Sequence, residues 1–118
     1  MTDERRKTIA FFCGMYLSKI QCSSIFDYTR AAYYNLDYVV NGSHISVYDY
    51  ERKCELSGTF PSFHDYGAAS AVSFRVKNDR VIDAYDYKTA TDMEVTCNGR
   101  NVSLFDYKAG RYYEYQLR

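Results

Sequence analysis

Five aspartates recur in this 118-residue chain inside one short pattern, and their type and spacing raise the first question of chemistry. The pattern reads Ile25-Phe26-Asp27-Tyr28, Val47-Tyr48-Asp49-Tyr50, Phe63-His64-Asp65-Tyr66, Ala84-Tyr85-Asp86-Tyr87 and Leu104-Phe105-Asp106-Tyr107. Successive aspartates are 22, 16, 21 and 20 residues apart. Asp27, Asp49, Asp86 and Asp106 could gather calcium through hard oxygen ligands, although no stretch is as dense in carboxylates as a calcium loop. His64 beside Asp65, in the copy that departs furthest from the pattern, could supply the general base of a small hydrolase. The third role is structural: an Asp just before a tight turn accepts hydrogen bonds from backbone N–H groups two or three residues on. Repetition favours this last role, because it sets like groups at equivalent positions, whereas an active site gathers unlike groups with perturbed pKa values.

The aromatic neighbours form the second set. Alternation along 101–107 puts Val102, Leu104 and Asp106 on one face and Ser103, Phe105 and Tyr107 on the other. Ile45, Val47 and Asp49 stand in the same way against Ser46, Tyr48 and Tyr50. One face is therefore aliphatic and ends in a carboxylate, and the other is aromatic. Tyr combines a flat apolar ring with a hydroxyl, which suits sugar rings, peptides and protein interfaces. The candidate ligand-binding residues are Tyr48, Tyr50, Tyr85, Tyr87, Phe105 and Tyr107, with Tyr112, Tyr113 and Tyr115 on the final strand. The function expected is a non-catalytic binding or assembly module whose ligand is a glycan, peptide or protein. The alternative is a hydrolase-like enzyme centred on His64 and Asp65.

A period near 20 residues marks an internal repeat, one small unit copied and packed against its neighbours. Each copy reads as a β-hairpin, with turn signals at 41–42, 61–62, 78–79 and 98–99 in step with the aspartates. The strands pair as 23–28 with 33–40, 44–50 with 54–60, 80–87 with 92–97, and 101–107 with 111–117. The fold expected is mainly β, an antiparallel meander of about ten short strands in five hairpin repeats, barrel-like or a ring of hairpins. Its core should hold Ile25, Val47, Leu56, Val72, Phe74, Ile82, Val95, Val102 and Leu104. The final strand would be a free edge, open to a second copy, unless it closes on the first.

The whole chain reads as a single domain, with a helix in 1–21 and the repeats in 22–118. Ile9, Phe12, Cys13, Tyr16, Leu17 and Ile20 follow a helical stripe, while Phe11 and Met15 fall off it. Thr2 or Asp3 can cap this helix, and Glu4 suits the positive end of its dipole. The helix is expected to plug one end of the β part or cover one side, with docking on a membrane or partner as the alternative. A signal-like outline at 8–17 is opposed by Asp3, Glu4 and the lack of a small-x-small cleavage site, so a cytoplasmic location is expected over a secreted one. The apolar run is too short for a transmembrane helix.

Fifteen basic and fifteen acidic side chains cancel, which argues against a nucleic-acid partner. Cys13, Cys22, Cys54 and Cys97 form no C-x-x-C pair and, with His44 and His64 apart, no zinc pattern. Reduced, structural cysteines and no cofactor are expected.

The run Phe105-Asp106-Tyr107-Lys108-Ala109-Gly110-Arg111 resembles the tyrosine-aspartate repeats of bacterial shell and toxin-delivery proteins. The Gly-Arg pair occurs here in the last copy only, one residue later than in that family. The aromatic hairpins ending in Asn-Gly are also similar in layout to the cell-wall-binding repeats of Gram-positive surface proteins, without the tryptophans of their ligand cage. Both resemblances run from about residue 22 onward. They imply a bacterial protein with a binding or structural role and name no ligand.

Overall fold

The computed structural model describes residues 1–118. Helix α1 (Asp3–Ser18) is followed by ten strands: β1 (Ser24–Asp27), β2 (Ala32–Asn41), β3 (His44–Asp49), β4 (Cys54–Thr59), β5 (Ser62–Asp65), β6 (Ser70–Asn78), β7 (Val81–Asp86), β8 (Thr91–Asn98), β9 (Asn101–Asp106) and β10 (Arg111–Leu117). Every neighbour pairs antiparallel, and β10 returns to β1 with Ile25 opposite Leu117, so the meander closes into a barrel. The final strand is therefore not the free edge expected, because it closes on the first. All nine core residues expected from alternation are buried.

The helix neither plugs an end nor covers a side. Residues 5–15 are buried without interruption, on every side of the helix, so α1 lies inside the barrel. Closed barrels of roughly this strand number have room for a central helix. At about 1.5 Å per residue, sixteen residues span about 24 Å, most of the 30 Å molecule. Phe11 and Met15, which depart from the stripe, now have a reason: there is no solvent face to keep polar. Ile20 lies past the helix, which ends at Lys19 in the left-handed region. Gly14 lets the helix approach the wall, since a Cβ there would stand 2.7 Å from Val102 Cγ2. The helix is also too short and too polar at its start to cross a membrane.

The five aspartates form a ring at one end of the barrel, all at most 2% exposed. Each closes the four-residue turn that follows it. Asp106 Oδ1 accepts from the amides of Lys108 (3.0 Å) and Ala109 (2.9 Å), and Asp27, Asp49 and Asp65 repeat the pair. Asp86 accepts from the Thr89 amide and hydroxyl. Every turn ends in the left-handed region, at Ala31, Lys53, Ala69, Ala90 and Gly110. The third copy is regular here: Phe63 fills the aliphatic position and is buried, and His64 fills the aromatic one.

The ring has a second task that the turn reading missed. Arg5 reaches Asp86 through two hydrogen bonds (2.6 and 3.0 Å) and Asp65 through a third at 3.2 Å. Arg6 reaches Asp106 at 2.9 Å, and Lys7, fully buried, reaches Asp49 at 2.9 Å. The turns add Arg30 to Asp27 (2.8 Å) and Arg52 to Asp65 (2.7 Å). Three cations in the first turns of a helix oppose its dipole, and the carboxylates around them offset that. Burial by itself would raise the pKa of Asp65 and Asp86. The hydrogen bonds and charge of Arg52 and Arg5 outweigh it, and both sit below the usual carboxylate value. Asp106 is lowered too, by the Ala109 amide and then Arg6, against the same burial.

Candidate binding cleft on the outer wall

The side chains flanking each aspartate point outward, and they stack in pairs. Phe26–Tyr28, Tyr48–Tyr50, His64–Tyr66, Tyr85–Tyr87 and Phe105–Tyr107 each meet edge to face, with ring centroids 4.5–4.9 Å apart. Such pairs contribute about 0.5–1.5 kcal/mol each beyond the area they bury. Tyr48, Tyr50, Tyr87 and Tyr107 are exposed, while Tyr85 and Phe105 are half-buried. Tyr112 joins this face beside Phe105 at 4.7 Å. Tyr113 and Tyr115 do not: they share the inward side of β10 with Leu117 and are buried. A period of two puts 113, 115 and 117 together and separates them from 112. Tyr113 instead lies under the Arg6 guanidinium, 4.1 Å from the ring centroid.

Sequence reasoning did not show where this aromatic wall becomes concave. A cleft of about 650 Å³ opens over β6, β7 and β8. The register explains its lining. Ser73 stands opposite Tyr85 and Tyr85 opposite Asp92, and the Tyr107 amide bonds the Asp92 carbonyl at 3.0 Å. Tyr85, Asp92 and Tyr107 therefore lie in one row across the wall, the carboxylate between two phenols. Two residues along, Arg75 stands opposite Asp83 and Asp83 opposite Glu94. Arg75 pairs with Asp83 at 2.6 Å and Lys77 with Glu94 at 3.1 Å. Glu94 raises the pKa of Lys77, with Asp83 adding to the effect. Asp92 alone among these charges is exposed and makes no side-chain hydrogen bond or ion pair within the protein.

The other expected residues fall elsewhere. His64 and Asp65 project from opposite faces of β5: His64 is exposed beside Tyr66, while Asp65 is buried against Arg5 and Arg52. The chain does not bring them together. Tyr48 and Tyr50 form a separate patch in which the Tyr50 hydroxyl donates to Asp37, the interaction that raises the Tyr50 pKa. The aspartates face the helix cations and the turn amides. All four cysteines are free thiols. Asp92 was missed because it lies in the second strand of its hairpin, outside the repeated pattern. Its signal was the spacing itself, since its strand pairs with the strands of both Tyr85 and Tyr107. No protein-family model, curated protein or solved structure matches this chain.

Proposed function

We propose that this protein is a non-catalytic binding module that takes a saccharide in the cleft between Tyr85 and Tyr107. The observation that carries the reading is the uncommitted Asp92 carboxylate, set between two tyrosines in a concave part of the wall. A sugar ring presents an apolar C–H face and a rim of hydroxyls. The tyrosines suit the first, and Asp92, with the Arg75–Asp83 pair beside it, suits the second by accepting and donating hydrogen bonds. Ligand sites combine apolar lining with a few such polar groups in this way.

The test is a glycan and peptide array probed with the wild type, a Tyr85/Tyr107 double alanine variant and a Tyr28/Tyr50 double alanine variant. Glycan signal lost in the first double variant and kept in the second supports the reading. Binding that survives Tyr85/Tyr107→Ala, or that appears on peptides alone, overturns it.

A further inference from the structure

Closing the barrel removes the edges of the sheet but leaves an overhang. Strand β1 has four residues and β2 has ten, and their ladder ends at Ser24 opposite Asn35. On one side of β2 the Asn35 carbonyl accepts from Tyr50 (3.3 Å), and on the other the Leu36 amide donates to Ser23 (3.0 Å). Alternation then aims the N–H and C=O of Tyr38 and Val40 away from β3, where β1 no longer reaches. Val39 and Val40 are 57% and 55% exposed and line a groove of about 490 Å³, in which Met15, Ile20 and Tyr38 stand beside the polar Lys19 and Gln21.

Strand β6 also outruns its neighbour, β5, but that overhang is guarded. It carries Arg75 and Lys77, and its register shifts between Val76 and Asn78. Charges and bulges are the usual protections of an edge. Tyr38-Val39-Val40 has neither.

We propose that a second copy of this chain pairs with β2 along residues 37–41, antiparallel and two-fold symmetric about Val39. Length and register select this occupant. With Tyr38 opposite Val40 of the second copy, and the reverse, four unpaired backbone groups on each copy satisfy one another. Val39 meets Val39 on the outer face, and Asp37 meets Asn41, a carboxylate facing an amide donor. Each strand ends at the Gly42–Ser43 turn, level with Leu36 of the other copy, which is where Ser23 begins to occupy the edge. Val40 of each copy enters the groove of the other beside Ile20 and Met15. Such a contact is small, so the dimer forms in the range of weak, transient interfaces.

Sedimentation equilibrium tests this. The wild type should rise from the monomer mass of 13.8 kDa toward twice that value as concentration increases. Val40→Pro deletes one amide on the free side only, leaves the bonds to β3 intact, and should hold the protein monomeric with an unchanged melting temperature. Val39→Lys, at an exposed site, should weaken association at least about tenfold by placing like charges across the axis. A wild type that stays monomeric to about 1 mM, or a dimer that neither substitution weakens, overturns the proposal. A monomer that takes up an extended apolar peptide on β2 overturns it as well.

Discussion

The two ends of the barrel solve the same problem, how to hold a helix inside a sheet, with different physics. At the aspartate end the contact is ionic: five buried carboxylates face Arg5, Arg6 and Lys7 of the helix, with Arg30 and Arg52 from the turns. At the other end it is apolar. Phe12 meets Phe74 at 4.3 Å and Phe63 at 4.9 Å, and Tyr16 meets Phe60 at 4.7 Å. The turns differ in step. Four-residue turns closed by Asp serve the first end, and the tight turns at Gly42 and Gly99 serve the second. Burying ions earns little net stability, but it makes the arrangement intolerant of losing one partner. The apolar end is tolerant and leaves its rim exposed at Val39 and Val40.

The largest effect expected is from Asp86→Ala. It strips Arg5 of two of its three carboxylate bonds and opens a turn, and should lower stability by about 3–5 kcal/mol. Denaturant unfolding measures this. A loss near 0.5–2 kcal/mol, the scale of a capping-type hydrogen bond alone, would mean that the ionic contact adds nothing to the turn.

Next, pH should separate the two ends on the acid side: the aspartate end carries the acid loss, while buried tyrosines at both ends carry an alkaline one. Asp65, Asp86 and Asp106 have folded-state pKa values below the ordinary 3.8, so the stability they contribute is present above that value and lost as pH falls through the lowered ones. At the apolar end, burial pushes Tyr38 from 10.0 up to about 12. Its contribution is present below pH 10 and lost as pH rises toward 12. Buried Tyr115, whose pKa is also raised, adds an alkaline loss beside Asp27. Tyr38→Phe should therefore remove part of the alkaline loss and none of the acid loss, as followed by unfolding midpoints across pH. A variant with an altered acid limb would break the separation.

The smallest effect concerns the turns. Gly110 is at φ +69 and Ala90 at φ 52 in equivalent positions. Gly110→Ala should cost about 1 kcal/mol and Ala90→Gly should recover a similar amount, because a Cβ is strained there. Thermal melts of the two variants and their double check this. Equal signs would show that the turns are not equivalent.

The sequence carried the walls of this molecule better than its axis. Alternation around Val47 or Leu104 and the Asn-Gly turns name a face and a turn from neighbours a few residues away, and these were legible. The helix gave a stripe at Ile9, Phe12 and Cys13. A stripe says which side is apolar, while enclosure depends on the diameter of a barrel closed by residues about a hundred positions later. Arg5, Arg6 and Lys7 were given no role from the sequence for the same reason, although five inward carboxylates already demanded partners. On the outer wall the tyrosine rows were visible, but the cleft was not. It arises from the register that brings Asp92 level with Tyr85 and Tyr107.

The ionic end also joins two rotations that do not divide into each other. Five hairpins around a closed wall repeat about every 72°, whereas successive helix residues advance about 100°. Three consecutive cations can thus address four of the five carboxylates. Arg5 straddles Asp86 and Asp65, Arg6 takes Asp106 and Lys7 takes Asp49, while Asp27 is left to Arg30 of its own turn. Turning the helix by one hairpin step would aim a cation at Asp27, already occupied, and strip another carboxylate. The mismatch works as a vernier: a nearly five-fold wall accepts its axle at a single azimuth.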